Sequence, residues 1–308
     1  MWLQTQGVLG FLSLLQYFTS TYSLPADLES RIVNGTVVTW DNPRWQVSLR
    51  QKTRDGKETY HLCGGSLISP NQVLTASHCM YDYAYLKYRN PKKMIVSVGS
   101  LHISKQIDAL NFTISEVYTA PGFDPDTFKD DVAVLVLNQS IPENYTRAME
   151  IELNEDPQIP IGTKCTVTGW GVTENRTFSA NLRIVEVPIV NHTICAQNYK
   201  GKWQIMDGML CAGYLDLGER DACNGDSGGP LVCDNKVAGI VSFGEQCAKA
   251  KYPGVYTNVA KYVKWIRNPT TSPKGNDGGK NSASVGYSES SIFVIIPWLS
   301  FILKIAMN

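Results

Sequence analysis

The segment Asp221-Ala222-Cys223-Asn224-Gly225-Asp226-Ser227-Gly228-Gly229-Pro230 sets one serine between an aspartate and a pair of glycines. Glycine, aspartate and serine all favour tight turns, so in isolation this segment predicts a turn that exposes the hydroxyl of Ser227. A serine hydroxyl is a weak nucleophile at neutral pH and needs a base within hydrogen-bond reach. The catalytic interpretation of Ser227 therefore depends on what the sequence offers upstream.

A histidine and an aspartate upstream can supply that base. His78, one of four histidines, follows the β-prone residues 73–75. Asp131 opens a continuous apolar run from 132 to 137, in which a strand would shelter its carboxylate. Singly, such a histidine is usually structural and such an aspartate is usually a cap or turn residue. In chain order, however, His78, Asp131 and Ser227 follow one of the known orders of a catalytic triad.

Further motifs accompany these three residues. They are Arg31-Ile32-Val33-Asn34-Gly35, Cys63-Gly64-Gly65-Ser66-Leu67-Ile68, Gly169-Trp170-Gly171 and Cys211-Ala212-Gly213-Tyr214. With them, the chain resembles the chymotrypsin-fold, trypsin-like serine proteases from about Ile32 to Asn268. The resemblance implies an all-β fold of two packed six-stranded antiparallel barrels with a C-terminal helix. It puts His78 and Asp131 on the first barrel and Ser227 on the second, with the active site between them.

The apolar runs agree with an all-β chain. Strands are predicted at Ile95 to Val98, Val132 to Leu137, Lys164 to Thr168 and Val237 to Val241, and a terminal helix at Val259 to Arg267. The other histidines, His61, His102 and His192, lack the motif that flanks His78. They are therefore predicted to be loop or surface residues.

The resemblance gives each site residue a role. His78 would take the proton of Ser227 and return it to the leaving amine, while Asp131 orients the imidazole. The backbone N–H groups of Gly225 and Ser227 resemble the oxyanion hole of the family, and a glycine at 225 allows close backbone approach. The predicted reaction is hydrolysis of a peptide bond through an acyl-enzyme.

A specificity pocket is implied by three more residues. Asp221 matches the carboxylate at the pocket base of trypsin-like members, and Gly244 and Gly254 match the pocket walls. A buried carboxylate strongly favours a cationic partner, so cleavage after Arg or Lys is predicted, without a choice between the two. The alternative is that Asp221 is a surface loop acid.

Two residues depart from the family pattern. Phe243 stands where the family usually has tryptophan, which alters the apolar platform for residues before the cut bond, and Ser77 stands where alanine is usual. A Tyr-rich stretch, Met80 to Lys93, either overhangs the cleft or is a solvated loop. If the departures mark lost catalysis, the rival function is a pseudoprotease that serves as a cell-surface binding or adhesion module.

The residues around Arg31 predict an activation switch. The segment 24–31 is predicted to be a propeptide. Cleavage after Arg31 by an Arg-specific protease would release the ammonium of Ile32, which would then pair with Asp226. Removing one partner of a buried ion pair typically costs about 3 to 5 kcal/mol, so the uncut chain is predicted to be a zymogen. The alternative is that Arg31 merely ends a disordered propeptide.

Cysteine usage indicates disulfides rather than metal ligands. The chain has eight cysteines, which spacing alone cannot pair. The resemblance implies the pairs Cys63 with Cys79, Cys165 with Cys233, Cys195 with Cys211, and Cys223 with Cys247. No cofactor, zinc or structural calcium is predicted, because ligand spacings for zinc are lacking and residues 100–110 hold Asp108 as their one acid.

The charge balance argues against nucleic acid as a partner. Lys and Arg total 28 and so do Asp and Glu, which gives no basic field. The predicted partners are protein or peptide substrates. Glycosylation sequons begin at Asn34, Asn111, Asn138, Asn144, Asn175 and Asn191.

The two ends predict a secreted, anchored protein. Residues 1–23 read as a signal peptide, and the protease domain spans 32–268. A polar linker, 269–291, precedes an apolar tail, 292–308, and Asn281 or Ser282 would accept a glycosylphosphatidylinositol anchor at the outer face of the plasma membrane. The alternatives are a short membrane span and a plain secreted protease with an uncleaved tail.

Overall fold

The computed structural model describes residues 35–39, 43–105, 109–173, 177–216, 218 and 220–270. Within these residues, two large sheets pack on each other and short helical segments connect or cover them; their strands are antiparallel except for the parallel pairing of residues 152–153 with 236–237. The predicted all-β fold class is confirmed.

The first sheet is a curled half-barrel. Its strands are β2 (Gln46–Lys52), β3 (Thr59–Ser69), β4 (Gln72–Thr75), β7 (Met94–Val98), β8 (Leu110–Phe112), β9 (Ile114–Thr119) and β10 (Ala133–Leu137). They pair in the order β8-β7-β2-β3-β4-β10-β9. A separate hairpin of β5 (Tyr81–Asp82) and β6 (Lys87–Tyr88) follows the 3-10 helix Ser77–Met80.

The second sheet contains a closed barrel. Its strands are β1 (Thr36–Val37), β11 (Glu152–Leu153), β12 (Lys164–Gly169), β13 (Arg183–Val190), β14 (Met209–Ala212), β15 (Pro230–Cys233), β16 (Lys236–Phe243) and β17 (Gly254–Asn258). Six of them run in the order β13-β12-β15-β16-β17-β14, and β14 pairs back with β13. β1 and β11 add to this barrel from outside, on β13 and β16.

The helices are few and short in the described part of the chain. α1 (His192–Tyr199) begins where the side chain of Asn191 accepts from the backbone N–H groups of Thr193 and Ile194. The predicted terminal helix is divided into a 3-10 helix, Val259–Lys261, and α2 (Val263–Arg267). Tyr262 separates them, because its φ of −117° lies outside the range of helical residues.

The residue pattern explains where the core lies. β10 reads Ala-Val-Leu-Val-Leu and is almost wholly buried, as expected for an apolar β-branched run with both faces covered. The core of the first sheet also takes in Ile240 of β16 and Val263 and Ile266 of α2. The second sheet and the terminal helix therefore share a core with the first sheet, and this fixes the cleft between them.

Four disulfides cross-link the described part of the chain. They join Cys63 to Cys79, Cys165 to Cys233, Cys195 to Cys211, and Cys223 to Cys247, which are the pairs that the resemblance implies. The first fixes the segment that carries His78, and the last joins two walls of the pocket at Asp221. Each such bridge typically contributes about 2 to 4 kcal/mol.

Candidate active site

His78 is held by the buried carboxylate of Asp131. Its Nδ1 lies 2.7 Å from Oδ2, and its backbone N–H donates to Oδ1 at 2.8 Å. A carboxylate accepts hydrogen bonds, so Nδ1 carries the proton and Nε2 is free to accept one. This is the tautomer that a general base facing a serine requires.

Asp131 is anchored by the second sheet. It lies two residues before β10 and is fully buried. The hydroxyl of Ser242 donates to its Oδ2 at 2.6 Å, and the hydroxyl of Thr257 donates to its backbone carbonyl at 2.7 Å. Because Ser242 and Thr257 belong to β16 and β17, the acid of the first sheet is positioned by strands of the second.

Ser227 lies in the loop before β15, against the first sheet. The N–H of Gly64 donates to its carbonyl at 2.7 Å. Gly228 has a φ of +75°, and a Cβ there would lie 2.2 Å from Thr75 Oγ1, so only glycine fits this close approach. Among the described residues, the Ser227 hydroxyl makes no hydrogen bond with His78; such contacts are often long without substrate and tighten when it binds.

The predicted oxyanion residue Gly225 is clamped by two aromatic side chains. It has a φ of +98°, and a Cβ would lie 2.6 Å from the ring of Phe178. His61 Nε2 donates to the Gly225 carbonyl at 2.8 Å, while its Nδ1 accepts from the hydroxyl of Ser48 at 2.8 Å. Burial lowers the pKa of His61 to about 4, so the ring is neutral at working pH.

The prediction that His61 is a loop or surface residue is wrong. His61 lies in β3 with a mostly buried ring. No motif marked it, and the contact to Gly225 spans 164 positions of sequence. Strand alternation does not reveal it either, because an extra residue between His61 and Cys63 shifts the register: Cys63 lies opposite Leu49 and His61 opposite Arg50.

A pocket of about 220 Å³ opens beside Ser227, with Asp221 at its base and Ser242, Phe243, Gly244 and Gly254 in its walls. Asp221 is buried, and its Oδ2 accepts from the N–H of Ala248 at 3.1 Å. Its Oδ1 has no hydrogen-bond partner among the described residues. Burial raises the pKa of Asp221 to about 7, which is the electrostatic cost of this unpaired charge.

The two glycines of the pocket wall differ in their surroundings. A Cβ on Gly254 would lie 2.8 Å from Asp221 Oδ1 and 3.0 Å from the hydroxyl of Tyr256. A Cβ on Gly244 would meet its nearest atom only at 3.5 Å. A side chain at 254 would therefore crowd Asp221, whereas Gly244 has open space beside it.

Both departures from the family pattern are accommodated. Ser77 is buried and its hydroxyl donates to the carbonyl of Val132 at 2.6 Å. Phe243 packs in an aromatic cluster, with ring centroids 5.3 Å from Phe128 and 5.2 Å from Trp203. Phe128 in turn lies 5.5 Å from the His78 ring.

The Tyr-rich stretch contacts this cluster. The hydroxyl of Tyr83 donates to the carbonyl of Pro125 at 3.3 Å, and its ring is stacked 6.4 Å from that of Phe128. Tyr83, Phe128, Phe243 and Trp203, here called the aromatic wall, thus run from the β5–β6 hairpin past His78 to the mouth of the pocket.

Asp226 is buried next to Ser227. Its carboxylate accepts from the backbone N–H groups of Gly171 at 2.7 Å and Cys223 at 2.8 Å. A Cβ on Gly169 would lie 2.0 Å from it, which explains the glycine there. Burial raises the pKa of Asp226 to about 6. Arg31 and Ile32, its predicted switch partners, lie outside the described residues.

Comparison with known proteins identifies the family. The family model described as Trypsin matches residues 32–266. The chain belongs to the trypsin family. Trypsin eta of Drosophila melanogaster is 35% identical over 258 residues, covering 83% of this chain and 95% of that protein. Serine protease 1 of Homo sapiens is 33% identical over 83% of this chain and 96% of its own length. Trypsin of Sarcophaga bullata is 38% identical over 79% of this chain and 91% of its own length.

As a trypsin-family member, the protein is a serine endopeptidase. In the described part of the chain, Cys63, His78 and Cys79 are the one group with metal-ligand spacing, but the disulfide between the cysteines leaves no thiolate to bind a metal. The same residues include no helix that is long and apolar enough to cross a membrane.

Proposed function

We propose that this endopeptidase cleaves after Arg or Lys, with Ser227 as nucleophile, His78 as general base and Asp131 as orienter. The observation that carries the specificity is the Oδ1 of Asp221, buried at the base of the pocket without a described partner. A guanidinium or ammonium would satisfy this atom and offset the burial of the charge. An apolar side chain would leave it uncompensated.

The contacts of His78 support the proposed acyl-enzyme mechanism. With its proton on Nδ1 and held by Asp131, the ring can accept the Ser227 proton at Nε2 and then give it to the leaving amine. Attack on the carbonyl carbon forms the tetrahedral oxyanion, towards which the N–H groups of Gly225 and Ser227 would donate. Expulsion of the amine leaves the acyl-enzyme, which water hydrolyses by the same steps.

Active-site labelling and ester cleavage test this proposal. After cleavage behind Arg31, we expect a fluorophosphonate to label Ser227, and we expect Arg and Lys esters to be cleaved at least 100-fold faster than a Leu ester. Ser227→Ala should abolish labelling. Equal rates on Arg and Leu esters would disprove the specificity.

Ser242→Ala, which removes one donor to Asp131, should lower kcat with little change in KM.

We also propose that the protein is made as a zymogen on the secretory pathway. Buried Asp226 supports activation after Arg31, because an ammonium from Ile32 would pair with its carboxylate. Asn111, Asn138 and Asn144 are exposed and suit glycan attachment, whereas Asn191 caps α1. Asn34, Asn175, the signal peptide 1–23 and the propeptide 24–31 lie outside the described residues.

A lipid anchor at Asn281 is the proposed attachment to the membrane. The linker 269–291 and the tail 292–308 lie outside the described residues except for positions 269 and 270, so the proposal rests on their sequence. Release of the protein from intact cells by a phosphatidylinositol-specific phospholipase is the expected result. Recovery in the medium without that treatment would favour a plain secreted protease.

A further inference from the structure

Three charged side chains meet beside the pocket, next to its lining residues Gly244 and Gln246. Glu245 follows Gly244, a residue of the pocket wall, and its Oε1 accepts from the ammonium groups of Lys202 and Lys249. The Lys202 ammonium lowers the pKa of Glu245, so the carboxylate is charged. Two cations thus share one anion, and the group, here called the lysine pair with Glu245, carries a net charge of +1 from two lysines and one glutamate.

Both lysines also contact one aromatic ring. Each ammonium lies 4.9 Å from the centroid of Tyr252, within the range of a cation–π contact. The side chains of Lys202 and Lys249 are 39% and 35% exposed, against 22% for Glu245. The positive groups are therefore more accessible to a substrate than the negative group between them.

A bound substrate would pass this group, on the basis of the proposed function. Ser242-Phe243-Gly244 resembles the strand of the family that pairs with the substrate backbone. The residue before the cut bond would then put its side chain into the pocket beside Ser242, and the substrate backbone would pair antiparallel with residues 242–244. In such a ladder, the residue two positions earlier lies opposite Gly244, next to Glu245. Trp203, which follows Lys202 in the chain, packs 5.2 Å from Phe243 and borders the same path.

We propose that Lys202 and Lys249 are specificity-determining residues that favour Asp or Glu in the substrate two positions before the Arg or Lys that enters the pocket. A substrate carboxylate there pairs with the surplus positive charge, whereas a substrate lysine is repelled. This preference adds to the selection by Asp221. Asp221 selects the substrate residue that enters the pocket, whereas the lysines act on the residue two positions before it.

A peptide series tests this inference. Three peptides, identical except for Glu, Gln or Lys two positions before a fixed Arg, are cleaved by the activated enzyme, and kcat/KM is measured for each. Because the pairing is partly exposed, we expect the Glu peptide to be favoured over the Gln peptide by about two- to fivefold, and the preference to fall as salt is added. The Lys peptide should be the poorest.

Charge variants of the group separate specificity from structure. Lys249→Gln or Lys202→Gln leaves no surplus charge, so the ratio of the Glu to the Gln peptide should fall to about one. Glu245→Gln leaves both lysines without their anion, so the ratio should rise. The double variant of both lysines should reverse the preference. Lys264→Gln, an exposed lysine on α2, is the matched control and should leave the ratio unchanged.

The outcomes distinguish this inference from the proposed function. If the Glu and Gln peptides are cleaved equally by the wild type, or if all variants change the rates of the three peptides by one common factor, the lysine pair with Glu245 has no role in specificity. If even the Gln peptide is not cleaved while the serine is labelled, the proposed cleavage after Arg fails instead.

Discussion

Asp221 and Asp226 are buried carboxylates in one loop, and their surroundings suit them to different tasks. Burial raises the pKa of both, to about 7 for Asp221 and about 6 for Asp226. Asp221 faces the pocket with an unpartnered oxygen, whereas both oxygens of Asp226 accept from backbone N–H groups. Asp221 can therefore act on a substrate, and Asp226 on the loop that carries Ser227.

The pKa of Asp221 predicts how inhibitor binding depends on pH. An aromatic amidine needs the ionised carboxylate, so its affinity should be constant above pH 7 and fall by up to about tenfold per pH unit below it. Inhibition constants measured between pH 5 and 9 check this. Asp221→Asn should weaken binding by at least about 100-fold and remove the pH dependence. A flat profile for the wild type would contradict the prediction.

The β5–β6 hairpin and the loop that carries Phe128 together narrow the cleft beside His78. Phe128 has a φ of +57°, in the left-handed region that bulky residues rarely adopt. The loop is closed by bonds from Phe128 N to the Asp124 carbonyl at 2.9 Å and from Asp124 N to the Lys129 carbonyl at 3.1 Å. The ring is thus held between Tyr83, His78 and Phe243.

Replacing Phe128 with glycine should widen the cleft for the residue directly before the one in the pocket. Glycine accepts the left-handed backbone, so the change removes the ring without adding strain. We expect the ratio of kcat/KM for a Leu over a Gly peptide at that position to rise about tenfold, an apolar side chain being worth about 1 to 3 kcal/mol. Tyr85→Ala, on the exposed tip of the same hairpin, is the control and should not change this ratio.

The strands could be predicted from the sequence, but the aromatic wall could not. β7, β10, β12 and β16 are short runs rich in β-branched residues, and each appears within a residue or two of its predicted bounds. The triad segments were marked by motifs. The wall depends instead on the left-handed backbone at Phe128 and on contacts between distant loops, which no local pattern encodes. The burial of His61 likewise depends on a distant contact, since its ring bonds to Gly225, 164 positions away in the sequence.

Across the whole molecule, the site exists only where the two sheets meet. Asp131 on the first sheet is bonded to Ser242 and Thr257 of the second, and Ser227 on the second is bonded to Gly64 of the first. Thr168 Oγ1 donates to Gln46 Oε1 at 2.6 Å across the same boundary. The loop that carries Asp226 and Ser227 is therefore bonded directly to the first sheet through the carbonyl of Ser227.

Activation should for this reason change the stability of the whole domain in a pH-dependent way. The pKa of Asp226, raised from 3.8 to about 6 by burial, means that its charge opposes folding. In the uncut chain, the free energy of unfolding should be highest below pH 4 and fall by up to about 3 kcal/mol as the pH rises through 6. After cleavage behind Arg31, the ammonium of Ile32 offsets this cost, so the fall should be much smaller.

Urea unfolding between pH 4 and 8 measures how the free energy of unfolding depends on pH, and it is compared between an uncuttable Arg31→Gln chain and the cut enzyme. Asp226→Asn, which has no charge to bury, should abolish the difference and also leave the cut chain inactive, because the neutral amide gives the ammonium no partner. Other acids titrate in both chains and cancel in the comparison. Parallel pH profiles for the cut and uncut chains would mean that Ile32 does not pair with Asp226, and activation would then need another cause.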